Sequence, residues 1–463
     1  MFYRNVYSFT LLNFIVTSLL IILPLWVMLN AVEIATFFIV YFYLGVALAF
    51  YLGRNNVRDL KNIIFIFSLA TILYFSYSLV LFTELTNQIG YEMFRDQTHF
   101  HSVANSLKYS DSIISILKET VIEKKHIENE GAHFSFGVIA YISNKYHYGN
   151  PLLLQSLLVA SFAVLINVFL YNTLRFYIDE SIALKYTILF ILFSFAFSYS
   201  PWILRDIHIM FFYSIGIYLV HKSFSVKVLL FLFSIQVILM EFRVESSFAF
   251  MFLPMVYIYL QAKNYKYKSV LYFICILLIL PATSIIFDLL SRNITGVTDT
   301  LARYDSYTSE ALESQSGLSG ALYKLPFGIK HFSISVTSQI QPFPFWAGVE
   351  KGAPFTLNLS ELLFGVSAVF WFYVMFINAL FFKEHYRKIP KLLLYLLAFF
   401  CLFILANSSN LTTRRIIAVY PIAYVLFVFI AAQIPYEVLR RKSIVFILVY
   451  ISLSFIYILL KGF

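Results

Sequence analysis

PLLLQSLLVASFAVLINVFLY, residues 151–171, carries no Asp, Glu, Lys, Arg or His anywhere along its length. As a helix rising about 1.5 Å per residue it is about 30 Å long, the depth of the hydrocarbon core of a bilayer. The turn-forming Tyr148-Gly149-Asn150 leads into it. The same criterion, carried outward in both directions, finds apolar stretches at 9–30, 31–52, 63–83, 181–199, 207–220, 226–240, 246–260, 270–289, 358–382, 392–406, 416–432 and 443–460. The expected fold is therefore an all-α polytopic membrane protein of about 13 transmembrane helices (range about 11–14). Residues 1–463 form a single transmembrane domain, and two long connections, 84–150 and 291–357, lie on the non-cytoplasmic side. The three stretches between 207 and 260 are short, as befits spans that line a protein interior.

Composition points the same way. Of 463 residues, 60% are hydrophobic and 13% charged, and the mean hydropathy is +0.80. A soluble chain of this length needs far more polar surface to cover its core. Phe and Tyr dominate an aromatic content of 19%, in keeping with lipid-facing helices and interfacial anchors. The two cysteines, Cys275 and Cys401, sit inside apolar runs, which disfavours a structural disulfide or a thiolate metal site. The first apolar stretch is long and lacks a small-residue cleavage site, unlike a cleaved signal peptide.

The formal charge of +10 would suggest nucleic acid in a soluble domain, but here it is spread over the connections between spans. With the N-terminus and Arg4 in the cytoplasm, the inside connections carry Arg54/Arg58/Lys61, Arg175/Lys185, Lys222/Lys227, Lys263/Lys266/Lys268, Lys383/Arg387/Lys388/Lys391 and Arg440/Arg441/Lys442. Every one is short and basic, as the positive-inside bias requires, and miscounting by one span would put them all outside.

Of the outside connections, the first long loop contains residues 110–125. There Ile113, Ile114, Leu117, Val121 and Ile122 share one side, while Lys118, Glu119 and Glu123 lie elsewhere. Such an amphipathic helix suits the membrane interface or a cap on the bundle. A second helix is expected at 134–144. In the second loop a polar part near 307–320 leads into Ile340-Gln341-Pro342-Phe343-Pro344-Phe345-Trp346. Two prolines among aromatics preclude a regular helix and suit a rigid segment pressed against the bilayer or the bundle mouth.

Three tight outside hairpins hold charge where the chain meets lipid: Ser200-Pro201-Trp202-Ile203-Leu204-Arg205-Asp206, Glu241-Phe242-Arg243-Val244-Glu245 and Thr412-Thr413-Arg414-Arg415. One such arginine is accounted for by snorkelling to the headgroups. Four of them, on the side opposite to the positive-inside bias, make an electropositive mouth suited to an anionic group. A phosphate or diphosphate matches the guanidinium fork. Asp206, Glu241 and Glu245 stand beside the arginines, either as counter-ions or with one orienting an arginine while another acts as a base.

In the first loop, Arg95-Asp96-Gln97-Thr98-His99-Phe100-His101 gathers ionisable groups. His99 and His101 diverge on a helix and share a face on a strand. With no cysteine or third ligand nearby, no metal is expected. Asp96 or His99 has instead the chemistry to deprotonate a hydroxyl. His331 and Arg303 are further candidates in the second loop. No Walker, Rossmann, HExxH or GxSxG pattern appears, so nucleotide-driven and common hydrolytic chemistry lack support and no cofactor is expected.

The order of these features resembles a family. An Asp motif in the first outside loop, the Gly149-Asn150-Pro151 turn, a Ser-Pro-x-x-x-Arg-Asp hairpin, an arginine hairpin at Arg243 and Arg414-Arg415 before Tyr420-Pro421 are similar to bacterial O-antigen and capsule repeat-unit polymerases (Wzy type). They are also similar to the GT-C lipid-linked glycosyltransferases. The resemblance implies a multi-pass enzyme of the bacterial inner membrane, its N-terminus cytoplasmic and its active face periplasmic. Such an enzyme would join undecaprenyl-diphosphate-linked oligosaccharide repeat units. Arg205, Arg243, Arg414 and Arg415, with Arg303 in reserve, would hold diphosphate, and Asp96, His99 or Asp206 would serve the acceptor hydroxyl. Its partners would be polyprenyl-linked glycans, membrane lipid and envelope-assembly proteins, with no role for nucleic acid. Three spans before the first loop and the absence of a soluble C-terminal domain depart from the GT-C plan. The absence of paired Arg-rich loops departs from the polymerase plan.

Two other classes remain. A secondary transporter or flippase would place charge near mid-span and break helices in matched halves, whereas charge here gathers at one interface. A non-enzymatic assembly partner would tolerate lysine in place of the arginines.

Overall fold

The computed structural model describes residues 8–20, 32–53, 56–85, 95–123, 129–147, 151–262, 269, 324–406 and 413–461. Outside them lie the expected span at 270–289, Arg303, the polar part near 307–320, the 148–150 turn and the basic residues Arg4, Arg54, Lys263, Lys266 and Lys268. The described residues form helices and no strands. Five helices are long and apolar enough to cross a membrane: Val57–Leu81, Pro151–Leu174, Val244–Gln261, Phe355–Lys388 and Tyr436–Leu459. Shorter apolar helices stand at Ser8–Leu20, Phe37–Gly53, Asp206–Val220, Lys391–Leu405 and Ile417–Ala431.

In chain order the helices are α1 (Ser8–Leu20), α2 (Val32–Gly53), α3 (Val57–Leu85), α4 (Arg95–Leu107), α5 (Ile113–Leu117), α6 (Glu130–Lys145), α7 (Pro151–Leu174), α8 (Glu180–Phe193), α9 (Phe195–Tyr199), α10 (Asp206–Val220), α11 (Val226–Phe242), α12 (Val244–Phe250), α13 (Phe252–Gln261), α14 (Phe327–Thr337), α15 (Phe355–His385), α16 (Lys391–Ala406), α17 (Tyr420–Ala431) and α18 (Tyr436–Lys461). The uncharged run that opens the reading, α7, is the central post. Of its apolar window 78% is buried, against 17% for α18, so α7 packs on protein all round while α18 keeps most of its surface for lipid. α3, α6, α8, α10 and α17 surround α7.

The expected span at 181–199 is not continuous. Residues 181–199 divide into α8 and α9 at Ser194, whose backbone is extended. A break at this depth is tolerated where protein satisfies the freed polar groups. Tyr74 on α3 donates to the carbonyl oxygen of Ile191 at 3.2 Å, and Asn167 on α7 donates to the Tyr74 hydroxyl at 3.1 Å. Ser198, beyond the break, pairs with Ser367 at 2.6 Å and donates to the Leu363 carbonyl at 3.1 Å on α15.

The loop expectations also need amending. Residues 113–122 form α5 followed by one π turn, Lys118–Ile122, in place of a single α-helix. Ile116 and Thr120 are buried, on the side that meets α6, while Ile113, Ile114, Leu117 and Ile122 are exposed. The helix expected at 134–144 is α6, longer than foreseen and largely buried against α4, α7 and α11. The Pro342/Pro344 segment, both of whose prolines follow cis peptide bonds, is pressed on the bundle. Phe343 lies edge-on to Tyr450 and Tyr457 of α18, and the Phe345 amide donates to the Tyr450 hydroxyl at 2.9 Å. Gly365 on α15 meets the backbone of Phe345 so closely that a Cβ would collide with it.

Polar contacts segregate the connections into two sets. Arg58 pairs with Glu180 at 3.1 Å, Arg175 with Asp59 at 2.7 Å, and Tyr177 hydrogen-bonds His221 at 2.6 Å. These ties join the connections before α3, between α7 and α8, and between α10 and α11. The second set meets elsewhere.

Candidate functional site

Four chain segments meet at the second gathering point. The first is the start of α4, with Asp96. The turn between α9 and α10 brings Arg205 and Asp206. The α11–α12 joint is Arg243 itself, which ends one helix and begins the next in extended backbone. The 3-10 turn Thr413–Arg415 supplies Arg414.

Asp206 is the hub, only 2% exposed. Its Oδ1 accepts from Arg243 Nη2 at 2.8 Å, and its Oδ2 lies 3.2 Å from Arg414 Nε. The same edge of Arg414 also reaches Asp96, through Nη2 to Oδ2. Arg205 donates from Nη1 to the carbonyl oxygen of Phe242 at 2.8 Å, which ties the 200–206 turn to the end of α11. The residues before it, Ser200 to Leu204, are non-helical yet buried. Their backbone is satisfied locally and by α7: Ser200 and Trp202 donate to Phe197 and Tyr199, and the Ser156 hydroxyl donates to the Pro201 carbonyl at 2.7 Å. That is the condition for irregular backbone near membrane depth.

Three guanidinium groups therefore face two carboxylates. Burial opposes the charge on Asp206, but Arg243, Arg414 and Arg205 outweigh it and hold its carboxyl below the usual range. Burial also opposes the charge on Arg414, and Asp206 with Asp96 more than restores it. Arg205 has less help. Burial, and then the neighbouring Arg243, push it down to about 10, with Asp206, Glu245 and Asp96 acting the other way. Arg205 and Arg414 both stay cationic at neutral pH.

The remaining sequence candidates are placed unequally. His99 lies three residues after Asp96 on α4, on the same helical face, exposed, its ring 5.2 Å from that of His133. His101 points away, held at 2.8 Å by Gln155 and at 3.1 Å by Asn105. Glu241 and Glu245 flank Arg243, the first partly buried and the second exposed. Arg415 shares the 3-10 turn, but it is Arg414 that reaches the two aspartates. His331 stands on α14. Arg303 lies outside the described residues.

Some neighbours of the cluster escaped the sequence reading. Gln97 and Trp202 sit inside motifs singled out for their charges, so a signal was present; Ser78 and Ser156 lie in apolar runs and give none. These four line a cavity beside the cluster. No family model, curated protein or solved structure matches the chain.

Proposed function

We propose that the protein is a membrane-embedded glycosyl-transferring enzyme that joins undecaprenyl-diphosphate-linked oligosaccharide units at the non-cytoplasmic face of a bacterial inner membrane. In this reading about 13 spans cross the membrane with the N-terminus inside, and the four-segment cluster sits at the outer mouth. A GT-C-type transfer from a polyprenyl-phosphate sugar uses the same groups and is the near alternative. The observation that carries the reading is the convergence of Arg205, Arg243 and Arg414 with Asp96 and Asp206.

The chemistry needs a cationic cradle for the leaving diphosphate and an acceptor for the hydroxyl proton. Asp206 has both oxygens on arginines, which suits it to aim them. Asp96 is 46% exposed and shares its face with His99, so the proton falls to one of these two. An incoming diphosphate would compete with Asp96 for Arg414.

A second reading, a transporter or flippase, gains support from the break at Ser194. Reconstitution with lipid-linked oligosaccharide tests the choice. Arg205→Ala, Arg243→Ala and Arg414→Ala are each expected to abolish glycan lengthening while the protein stays in the membrane at its normal level. Full-length polymer from all three variants sinks the enzyme reading. Movement of the lipid across the bilayer without lengthening favours the transporter.

A further inference from the structure

Between His331 and Glu350 the chain carries no ionisable side chain: residues 332–349 read FSISVTSQIQPFPFWAGV. Pro342 and Pro344 stop any helix halfway along this run, so it cannot cross a bilayer as one span. Charge closes both ends, with Lys330 and His331 before it and Glu350 and Lys351 after it.

The second half of the run climbs α15 in order. Gln339 accepts from Trp371 Nε1 at 2.9 Å, Phe345 meets Gly365, Gly348 lies against the Glu361 carboxylate, and the Glu350 amide donates to Asn358 at 2.9 Å. From Trp371 back to Asn358 is about 20 Å of helix. α15 has no ionisable residue between Glu361 and Lys383, a separation of about 33 Å that matches the hydrocarbon thickness of a bilayer. Trp371 lies about 15 Å from Glu361 on that scale, so Gln339 sits near the midplane. The first half descends: His331 to Gln339, helical throughout, covers about 12 Å.

The polar groups at the bottom are satisfied by protein. The Ser335, Thr337 and Ser338 hydroxyls donate to the carbonyls of His331, Ser333 and Ser335 at 2.7, 2.7 and 3.0 Å. Gln339 Nε2 donates to the Ser335 carbonyl at 3.0 Å, and its Oε1 also accepts from the Tyr420 hydroxyl at 3.3 Å. Hydrocarbon demands this of backbone and side chains that enter it. Ile329, Phe332 and Val336, spaced i, i+3 and i+7, share one side of α14 and are each more than half exposed, while Ile334 and Ser335 on the other side are buried.

We propose that residues 329–350 form a re-entrant hairpin, which enters and leaves the membrane on one side, and that its Ile329/Phe332/Val336 face docks on lipid acyl chains. In the proposed orientation these belong to the outer leaflet. The inference stands apart from the chemistry of the arginine cluster and holds whether the protein transfers sugars or moves lipids.

The test uses the full-length protein in phosphatidylethanolamine–phosphatidylglycerol nanodiscs, in a Cys275→Ser, Cys401→Ser background. A nitroxide is attached in turn at Phe332→Cys, Val336→Cys and Lys351→Cys, and its relaxation by oxygen is compared with that by a water-soluble nickel chelate. Oxygen, which concentrates in hydrocarbon, is expected to dominate at Phe332→Cys and Val336→Cys, more strongly at the deeper Val336→Cys. The chelate should dominate at Lys351→Cys. Both substituted apolar side chains are exposed, so the fold does not depend on them. Dominance of the chelate at Phe332→Cys and Val336→Cys overturns the proposal and puts α14 in water. Shielding of both positions from both reagents also overturns it, and assigns the face to another protein surface, a second copy of this chain included.

Discussion

Asp206 decides how the mouth of the bundle is held. A carboxylate 2% exposed between Arg243 and Arg414 would be costly alone, and so would either arginine without it. Asp206→Asn keeps the shape and removes the charge that Arg243 and Arg414 share. Breaking a buried pair from one side costs about 3–5 kcal/mol. Asp206→Asn should therefore lower the free energy of unfolding in detergent by about that much. Arg243→Gln added to it should restore part of the loss, because the uncompensated charge goes with it. Denaturant titrations of the single and double variants measure the coupling, and strictly additive losses would contradict the geometry. The same contrast separates the two aspartates. Asp96, nearly half exposed, has room to give up Arg414 to a ligand, whereas Asp206 has none.

Among the elements, α15 shows most plainly what sequence leaves out. Its length and hydropathy announce a span, but nothing in them says that Gly365 must admit the backbone of Phe345. Gly365→Val would drive a branched side chain into that carbonyl, a main-chain group that cannot rotate aside. The expected result is a loss of about 1–3 kcal/mol, the usual cost of overpacking, read as a lower unfolding temperature. Unchanged stability would mean that the Pro342/Pro344 segment does not dock there. The break at Ser194 was equally hidden. Residues 181–199 read as one apolar helix because hydropathy counts side chains, whereas the break depends on Tyr74 and Asn167, which stand more than twenty residues away on two other helices. The site was legible to the extent that charge is rare in an apolar chain. Asp96, Arg205, Asp206, Arg243 and Arg414 stand out for that reason, and the structure joins them. Ser78 and Ser156 are ordinary in apolar runs, and only packing reveals that they share a cavity with Gln97.

At the scale of the whole molecule, the two sets of polar contacts lie at opposite ends of one helix. α3 begins by Asp59, which binds Arg175, and reaches Ser78 beside the cavity nineteen residues later. At about 1.5 Å per residue that separation is about 28 Å, close to the hydrocarbon thickness of a bilayer. The Arg58–Glu180 and Arg175–Asp59 pairs tie together connections that are short and basic. The Asp96–Arg414 and Asp206–Arg243 pairs tie together connections that run against the positive-inside bias. The proposed orientation puts the first set in the cytoplasm and the second outside, in line with that bias. Single cysteines introduced into a Cys275→Ser, Cys401→Ser background measure it directly, since a charged, impermeant maleimide added to intact cells reaches only the outer face. Cysteine in place of His99, Glu245 or Trp346 should react in intact cells. Cysteine in place of Arg58, Lys222 or Arg387 should react only after the membrane is opened. Labelling of both groups in intact cells would place the arginine cluster on the same side as the basic connections. It would also remove the electrostatic ground for an outward-facing site, because arginines on the cytoplasmic side need no ligand to explain them.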